Sequence, residues 1–581
     1  MIEPEWLPES DFASDFPVWT RALVGEMLPE VVSPLGWSMV WETCAALGWR
    51  DAMVRRMGFD EEEFNQTTPE TIGLIGGYGY LNASHLRVWA DRSPDLTVDH
   101  IDRILVNNGS PLPGHSHMTW HNPDAVATGM LTQWYRWVME SRNQIELDNG
   151  HLDSIACRDN RPDFAQLSDL ELVKRARELQ PLCRRLFEQH ANQTLASTIG
   201  PWVLTEICAE IGQPAHALRL LSGLGMVDSV SPTHALWDLS RMVRSSDSLT
   251  RVFDQGIDGL DRVLRHSNHA ESLGLVAGID ALTMEVGYRG PNEWDLSSPT
   301  WDVAPEIVIA QLDAMRRCED ETGPRQRRAH LEADRARLVT EISDALSGSQ
   351  HDRFLAGFGA STAFLRGREL SRTNVVRVIH EMRLALRELG ARGVRRYDFE
   401  EIDNLWMLTA DELEYYADGG LAEVAEISSK RRIQYEDLRD QAAPASMIGS
   451  DDGWIPAPGG APSWAYEDGR LEPGDMMLGS PGSPGMARGI ARVIETDADL
   501  AAVAPGDVLV LSRPDLAATP LFVAAGAVVT DRGGTFTHAV VVARELGTPM
   551  VVGAYKASER IVSGSVVNVD GLTGVVSVEA E

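Results

Sequence analysis

A mainly helical (α+β) first domain, a short linker and a small β/β/α domain are predicted for this 581-residue chain. Three observations predict it. The length exceeds what one hydrophobic core usually serves. Apolar residues recur at three- and four-residue spacing, with charges between them, over Leu167–Leu221 and Pro305–Leu389, the pattern of amphipathic helices. Near residue 476 the texture changes to short β-branched runs separated by turns: ARVIE, DVLVLS, GAVVTD, PMVVGA, SVVNVD and GVVSVE.

The first domain is expected over residues 1–440. Fourteen of the sixteen tryptophans lie before Pro444, enough to line an apolar pocket as well as a core. Arg325–Leu346 is charged on most faces, with a narrow stripe of Leu331, Leu338, Ile342 and Leu346, and reads as a solvated helical hairpin packed on one side. The net charge of -34, from 86 acidic and 52 basic residues, repels a phosphate backbone, so nucleic-acid binding is not expected. Met1–Pro17 carries five acidic residues and no apolar core, unlike a secretory signal. No run approaches the roughly 18 apolar residues of a membrane span, so no membrane association and a cytoplasmic location are expected. The five cysteines are scattered without a C-x-x-C pair, which indicates neither disulfides nor a zinc ribbon. Lysine occurs only at 174, 430 and 556, never after glycine, which excludes a Walker-type phosphate loop.

Residues 441–476 are dense in Pro, Gly, Ala and Asp and read as a swivel linker. Residues 477–581 form the small domain, whose chemistry lies in Asp531-Arg-Gly-Gly-Thr-Phe-Thr-His538 and the helix after it. Gly533 and Gly534 permit a tight strand-to-helix turn and close approach of backbone N–H groups to an anion. His538 falls in the first helical turn, and Gly547 and Pro549 stop the helix after Leu546. A phosphoryl group on its ring would sit near the helix N-terminus, where free N–H groups stabilise negative charge. The Thr535 and Thr537 hydroxyls can donate to it. Imidazole is nucleophilic near neutrality, and a phosphoramidate is reactive enough to pass phosphate onward.

This stretch resembles the phosphohistidine mobile domain of the PEP-utilising enzyme superfamily: Gly-Gly-x-x-[Ser/Thr]-His-[Ala/Gly], then small-Arg-x-x-Gly-x-Pro. The likeness extends over Gly479–Ile494, Asp507–Phe522 and Gly526–Gly534. Phe536 is more like the antibiotic-phosphorylating branch than the pyruvate dikinases. WTRALVGEMLPEVVSPLGW (Trp19–Trp37), GYGYLN (Gly77–Asn82), GYRGPNEWDLSSPTW (Gly287–Trp301), RGRELSR (Arg366–Arg372) and DNLWMLTADEL (Asp403–Leu413) are similar, in order, to the rifampin phosphotransferases and the split synthases that phosphorylate phenol or 4-cresol. In that family this region binds the phosphoryl acceptor.

The resemblance implies a split dikinase-type phosphotransferase. No ATP-grasp domain precedes Trp19 and no phosphoenolpyruvate barrel follows Glu581, so a separate ATP-grasp subunit, binding ATP and Mg²⁺, is expected to phosphorylate His538. This chain would then transfer the phosphoryl group to a small aromatic hydroxyl, giving aryl phosphate, AMP and phosphate. The alternatives are an ansamycin-like antibiotic as acceptor, and a protein phosphocarrier or regulator. An acceptor pocket needs cations on the transferring oxygens and a group that orients or deprotonates the hydroxyl. Arg289 with Glu293, and Arg368 with Arg372, are each four residues apart and supply candidates. Arg372 stands where the family's Arg-Glu-x-x-[Lys/Arg] motif commonly has lysine, which favours a charge clamp over a base. His115 and His117 have ligand-like spacing but no third ligand, so no metal is expected and His117 stands as a candidate general base.

Overall fold

The computed structural model describes residues 10, 16–65, 70–93, 96–106, 112, 125–141, 144–225, 227–420, 422–439, 441, 443–450, 453–457, 469–494, 499, 502–512, 519–535 and 537–580. The predicted class holds: a mostly helical region with a small sheet, then a mixed β-sheet domain.

The small sheet is antiparallel in the order β2-β3-β1-β4-β5: Ile72–Ile75, Tyr78–Asn82, Val18–Thr20, Ser446–Ser450 and Gly453–Pro456. Its last two strands correct the linker prediction. Composition placed 446–456 in the linker, yet Val18, Trp19 and Thr20 pair with Ile448, Met447 and Ser446, so this hairpin completes the first domain's sheet. Gly and Pro density marks turns as readily as linkers, and here the turn belongs to a hairpin. Residues 458–468 lie outside the described residues.

The four-residue helix α1 (Val24–Met27) follows β1. Two long helices form the spine, α2 (Asp169–Glu210) and α4 (Gly348–Arg395), packed on each other along much of their length. Ser168 starts α2 with a reciprocal capping box: its hydroxyl accepts from the Glu171 N–H and its own N–H donates to the Glu171 carboxylate at 2.7 Å. Between them, the charged stretch expected as a hairpin is one helix, α3 (Pro324–Ala345), with Leu338 and Ile342 buried. The middle of α4 is unusual for a spine helix, because Arg368, Glu369, Arg372, Arg377, His380, Glu381 and Arg383 are all buried. Buried charge at that density must be mutually paired.

The C-terminal domain has the strand order β6-β13-β12-β8-β9-β10-β11-β7. Strand β8 (Met486–Ile494) is shared by two sheets. Its first half pairs antiparallel with β12 (Val566–Asp570), flanked by β13 (Val575–Val578) and β6 (Met476–Leu478). Its second half runs parallel to β9 (Val508–Leu511), followed by β10 (Ala527–Thr530), β11 (Met550–Val552) and antiparallel β7 (Ser480–Ser483). The crossover from β10 to β11 carries helix α5 (His538–Leu546), which covers the parallel strands on one side and faces the helical domain on the other. Among the described residues, no helix is long and apolar enough to cross a membrane.

Candidate functional site

The turn after β10 presents His538. Gly533 takes φ +115°, a conformation side-chain-bearing residues rarely adopt. Asp531 anchors the turn by accepting from the N–H and hydroxyl of Ser558 at 2.8 and 2.5 Å, and burial lifts its carboxyl to about 6. Thr537 is the N-cap of α5, its hydroxyl oxygen accepting from the Val540 N–H. Arg544, in the last turn, donates to the carbonyls of Gly482 (2.7 Å) and Thr535 (2.9 Å), tying the approach loop to the far end of the helix. Gly547 closes the helix in the left-handed conformation, φ +65°.

Across the domain boundary, Glu369 of α4 meets the histidine: its Oε2 lies 2.6 Å from His538 Nδ1 and also accepts from the Ser229 hydroxyl. Glu369 is wholly buried, which alone would protonate it, but His538, Arg368 and Arg372 more than offset burial and hold it ionised, well below the usual carboxylate range. Burial, with Arg372 and Arg289 nearby, brings His538 down to about 4 against the opposing pull of Glu369. Near pH 7 the pair is therefore a neutral imidazole on a carboxylate. A carboxylate only accepts, so Nδ1 carries the proton and Nε2 keeps the lone pair.

The arginines converge behind this pair. Glu293 Oε1 lies 3.1 Å from Arg289 Nη1 and 2.5 Å from Arg372 Nη2. Arg289 Nη2 also reaches the Thr373 hydroxyl at 2.9 Å and Asp228 at 3.4 Å. Burial would discharge Arg289, but Glu293 and Asp228 hold its pKa above the ordinary value. Arg372 has fewer anions to itself, and burial moves it down. Arg289 Nε, Arg372 Nη1 and Glu369 Oε1 are buried with no hydrogen-bond partner among the described residues. Unsatisfied buried donors beside a reactive histidine are what an anion would satisfy.

A narrow cavity of ≈ 30 Å³ opens at His538, lined among others by Trp49, Trp294, His190, Arg368 and Glu26. A smaller apolar one adjoins it, sharing Leu23, Thr194 and Arg368 and walled by Leu86, Trp89, Ile101, Ile104 and Leu105. His190, on α2, is held at 3.0 Å by the Ser371 hydroxyl and brought down to about 3 by burial and then Arg368. Glu26, on α1, faces the turn of the small domain, near the backbone N–H groups of Gly534 and His538. Burial raises it to about 7 against Arg368 and those N–H groups. The segment that positions it is strained: Leu23 sits at φ 65°, ψ −60°, in a γ-turn closed by the Val24 N–H on the Ala22 carbonyl at 2.8 Å. Arg21 clamps the segment, donating to the Leu28 carbonyl at 2.8 Å and the Gly79 carbonyl at 3.1 Å.

Nine residues singled out from sequence thus lie together: Gly533, Gly534, Thr535, Thr537 and His538 on one side, Arg289, Glu293, Arg368 and Arg372 on the other. His115, His117 and Phe536 lie outside the described residues. Sequence reasoning missed Glu369, Glu26, His190, Asp228 and Ser229. Glu369 was within reach, since it stands between two chosen arginines in RGRELSR, and Glu26 stands in the first of the quoted segments. His190, Asp228 and Ser229 carried no local signal. Among the described residues, no group of three or more His, Cys, Asp or Glu is arranged to hold a metal ion.

Two separate stretches of the chain match known families. Residues 189–369 match the rifampicin phosphotransferase fourth domain, and residues 503–574 match the PEP-utilising enzyme mobile domain. An uncharacterised protein of Mycobacterium tuberculosis is 32% identical over 378 residues, covering 65% of this chain and 38% of that protein. Rifampicin phosphotransferases of Streptomyces sviceus and Bacillus cereus are 26% and 28% identical over 431 and 308 residues, covering 70% and 52% of this chain and 47% and 34% of theirs. The chain spans less than half the length of each of these relatives. The expected relationship to phosphohistidine mobile domains and to rifampicin phosphotransferases holds.

Proposed function

We propose that this chain relays a phosphoryl group through Nε2 of His538 to the hydroxyl of a small aromatic acceptor, a phenol or 4-cresol, bound beside Trp49 and Trp294. The single observation that carries the reading is the docking of His538 on Glu369 within a layer of buried arginines. The acceptor oxygen attacks phosphorus in line, the Nε2–P bond breaks, and its electron pair returns to the imidazole. Glu369, bound to Nδ1–H, pairs with the cationic ring while Nε2 carries phosphorus and orients it, and the ring leaves as neutral imidazole when the Nε2–P bond breaks. Arg368, Arg372 and Arg289 stabilise charge on the equatorial oxygens, and Glu293 is their counter-ion. Glu26 takes the hydroxyl proton, as its environment suits a base near neutrality.

The donor is ATP with Mg²⁺ on a separate ATP-grasp subunit. The Trp49 and Trp294 rings at the cavity support an aromatic acceptor, and the similarity to rifampicin phosphotransferases keeps the antibiotic as the second reading. The test supplies an ATP-grasp partner with ATP and Mg²⁺ and follows AMP release and phosphorylated product over phenol, 4-cresol and rifampicin. Aryl phosphate is expected from the phenols, and none from His538→Ala. Product at the normal rate from His538→Ala would end the relay reading, and turnover of rifampicin alone would replace the acceptor.

A further inference from the structure

Helix α5 touches the helical domain at both ends. Its first residue, His538, meets Glu369, and Glu545, seven residues later, lies on the same face two turns on, about 10 Å along the axis. Glu545 is 2% exposed, and its carboxylate receives two backbone hydrogen bonds from across the boundary: Leu224 N–H to Oε1 at 2.6 Å and Gly225 N–H to Oε2 at 2.9 Å.

The receiving loop is built for this. Gly223 and Gly225 take φ +65° and +68°, so that the N–H groups of 224 and 225 turn toward one anion, as in a backbone nest. A Cβ on Gly223 would lie 2.7 Å from the Leu331 carbonyl carbon and 2.9 Å from the Glu332 nitrogen, so the loop is seated on α3 with no room for a side chain. Arg335 of α3 holds the Leu220 carbonyl at 2.8 Å, and Arg366 of α4 donates to the Leu224 carbonyl. Arg366 is one helical turn from Glu369, so α4 supports both anchor points. The partly buried Leu331, on a helix expected to be solvated, faces Gly547 at the end of α5.

We propose that Glu545 is the docking pin of the His538 domain: its carboxylate, seated on the Leu224 and Gly225 N–H groups, fixes the far end of α5 and thereby holds His538 on Glu369. The proposal rests on the relay reading for its purpose. A shuttle held at one point could rotate about it, whereas two points on one helix face set the angle at which Nε2 enters the pocket. Glu545 acts through His538 and is a positioning residue. The nest reads a carboxylate by the geometry of its two N–H groups, on a loop that Arg335 and Arg366 hold by its carbonyls.

The test uses the full unphosphorylated chain, with potassium phosphoramidate as a chemical probe of His538, read by peptide mass, and amide exchange at Leu224 and Gly225. Glu545→Gln keeps the side chain's size and loses one acceptor, so a packing role would survive it and a pin would not. Labelling of His538 and exchange at both amides are expected to rise about tenfold, the usual weight of a hydrogen bond to a charged group. Gly223→Ala, on the opposite side of the contact, is expected to do the same, and the double variant to add little further. Unchanged labelling and exchange in both variants would overturn the pin. So would a rise accompanied by faster exchange throughout β9–β11, which would mean damage to the domain's own fold. Neither readout needs ATP, the ATP-grasp partner or an acceptor hydroxyl, so failure of the relay would show separately, as AMP release that does not depend on His538.

Discussion

The two walls of the pocket are built in opposite ways. On the His538 wall the turn glycine, the Thr537 cap, His538, the Arg544 tie and the terminating glycine all come from one stretch, Gly533–Gly547. On the acceptor wall, Glu26, His190, Asp228 with Ser229, Arg289 with Glu293, and Arg368–Arg372 come from five segments. There Glu369 is held ionised by His538, Arg368 and Arg372, and Arg289 is held charged by Glu293 and Asp228. Under the proposed relay, holding a phosphoryl group would be a local property of one turn and helix, whereas receiving it would be a property of a network. Damage should follow the same division.

The largest effect is expected from Glu369→Gln, which removes the anion on Nδ1. Transfer from phosphorylated His538 should fall about 10²–10³-fold, the usual weight of a positioned proton-holding group, while phosphorylation of His538 by the donor stays within a few-fold. Rapid-quench assays of the two half-reactions check this. Equal loss in both would erase the distinction between the walls.

Arg289→Ala should be next, slowing transfer by about 10–100-fold and costing about 3 kcal/mol of stability, because Glu293 and Asp228 lose a buried partner. Transfer assays and denaturant unfolding report the two effects separately. Unaffected turnover with normal His538 phosphorylation would mean that the acceptor is received elsewhere.

A pH profile sharpens the role of Glu26. Its carboxyl is raised from 4.5 to about 7, so the basic form is lost as pH falls through 7. His538, brought down to about 4, stays neutral throughout that range. Transfer should therefore rise between pH 6 and 8 and level off, and Glu26→Gln should be slow and flat. A limb near 7 that persists in Glu26→Gln would assign the base to another group. The smallest effect is expected from Thr537→Ala, a lost N-cap worth about 1 kcal/mol in urea unfolding, read locally on α5.

The unequal legibility of the two walls in the sequence follows from the same contrast. Gly533, Thr537, His538 and Gly547 could be placed to the residue because a strand, a turn and a helix N-terminus need these residue types in this order over a span shorter than twenty residues. Arg289, Glu293, Arg368 and Arg372 could be nominated as charges in unusual motifs, but not assigned to one another. That Glu293 bridges Arg289 and Arg372 depends on a loop and a helix separated by more than seventy positions. Glu369 and Glu26 are both glutamates in quoted segments, and nothing in either segment distinguishes a carboxylate held ionised from one raised to about 7. The β-hairpin at 446–456 escaped for a related reason, since its pairing partner, β1, lies more than four hundred residues earlier.

By itself the sequence determined the fold class, the helix-rich spine, the turn that carries His538 and the types of residue available to a phosphoryl group. Those follow from backbone geometry and periodicity, which act over a few residues. Only the tertiary structure decided the protonation states, the proton on Nδ1, the pairing of the arginines and the seating of Glu545 on the 223–225 loop. Each depends on burial and on charges brought together from distant segments, and both come into being only when α2, α4 and the C-terminal domain pack.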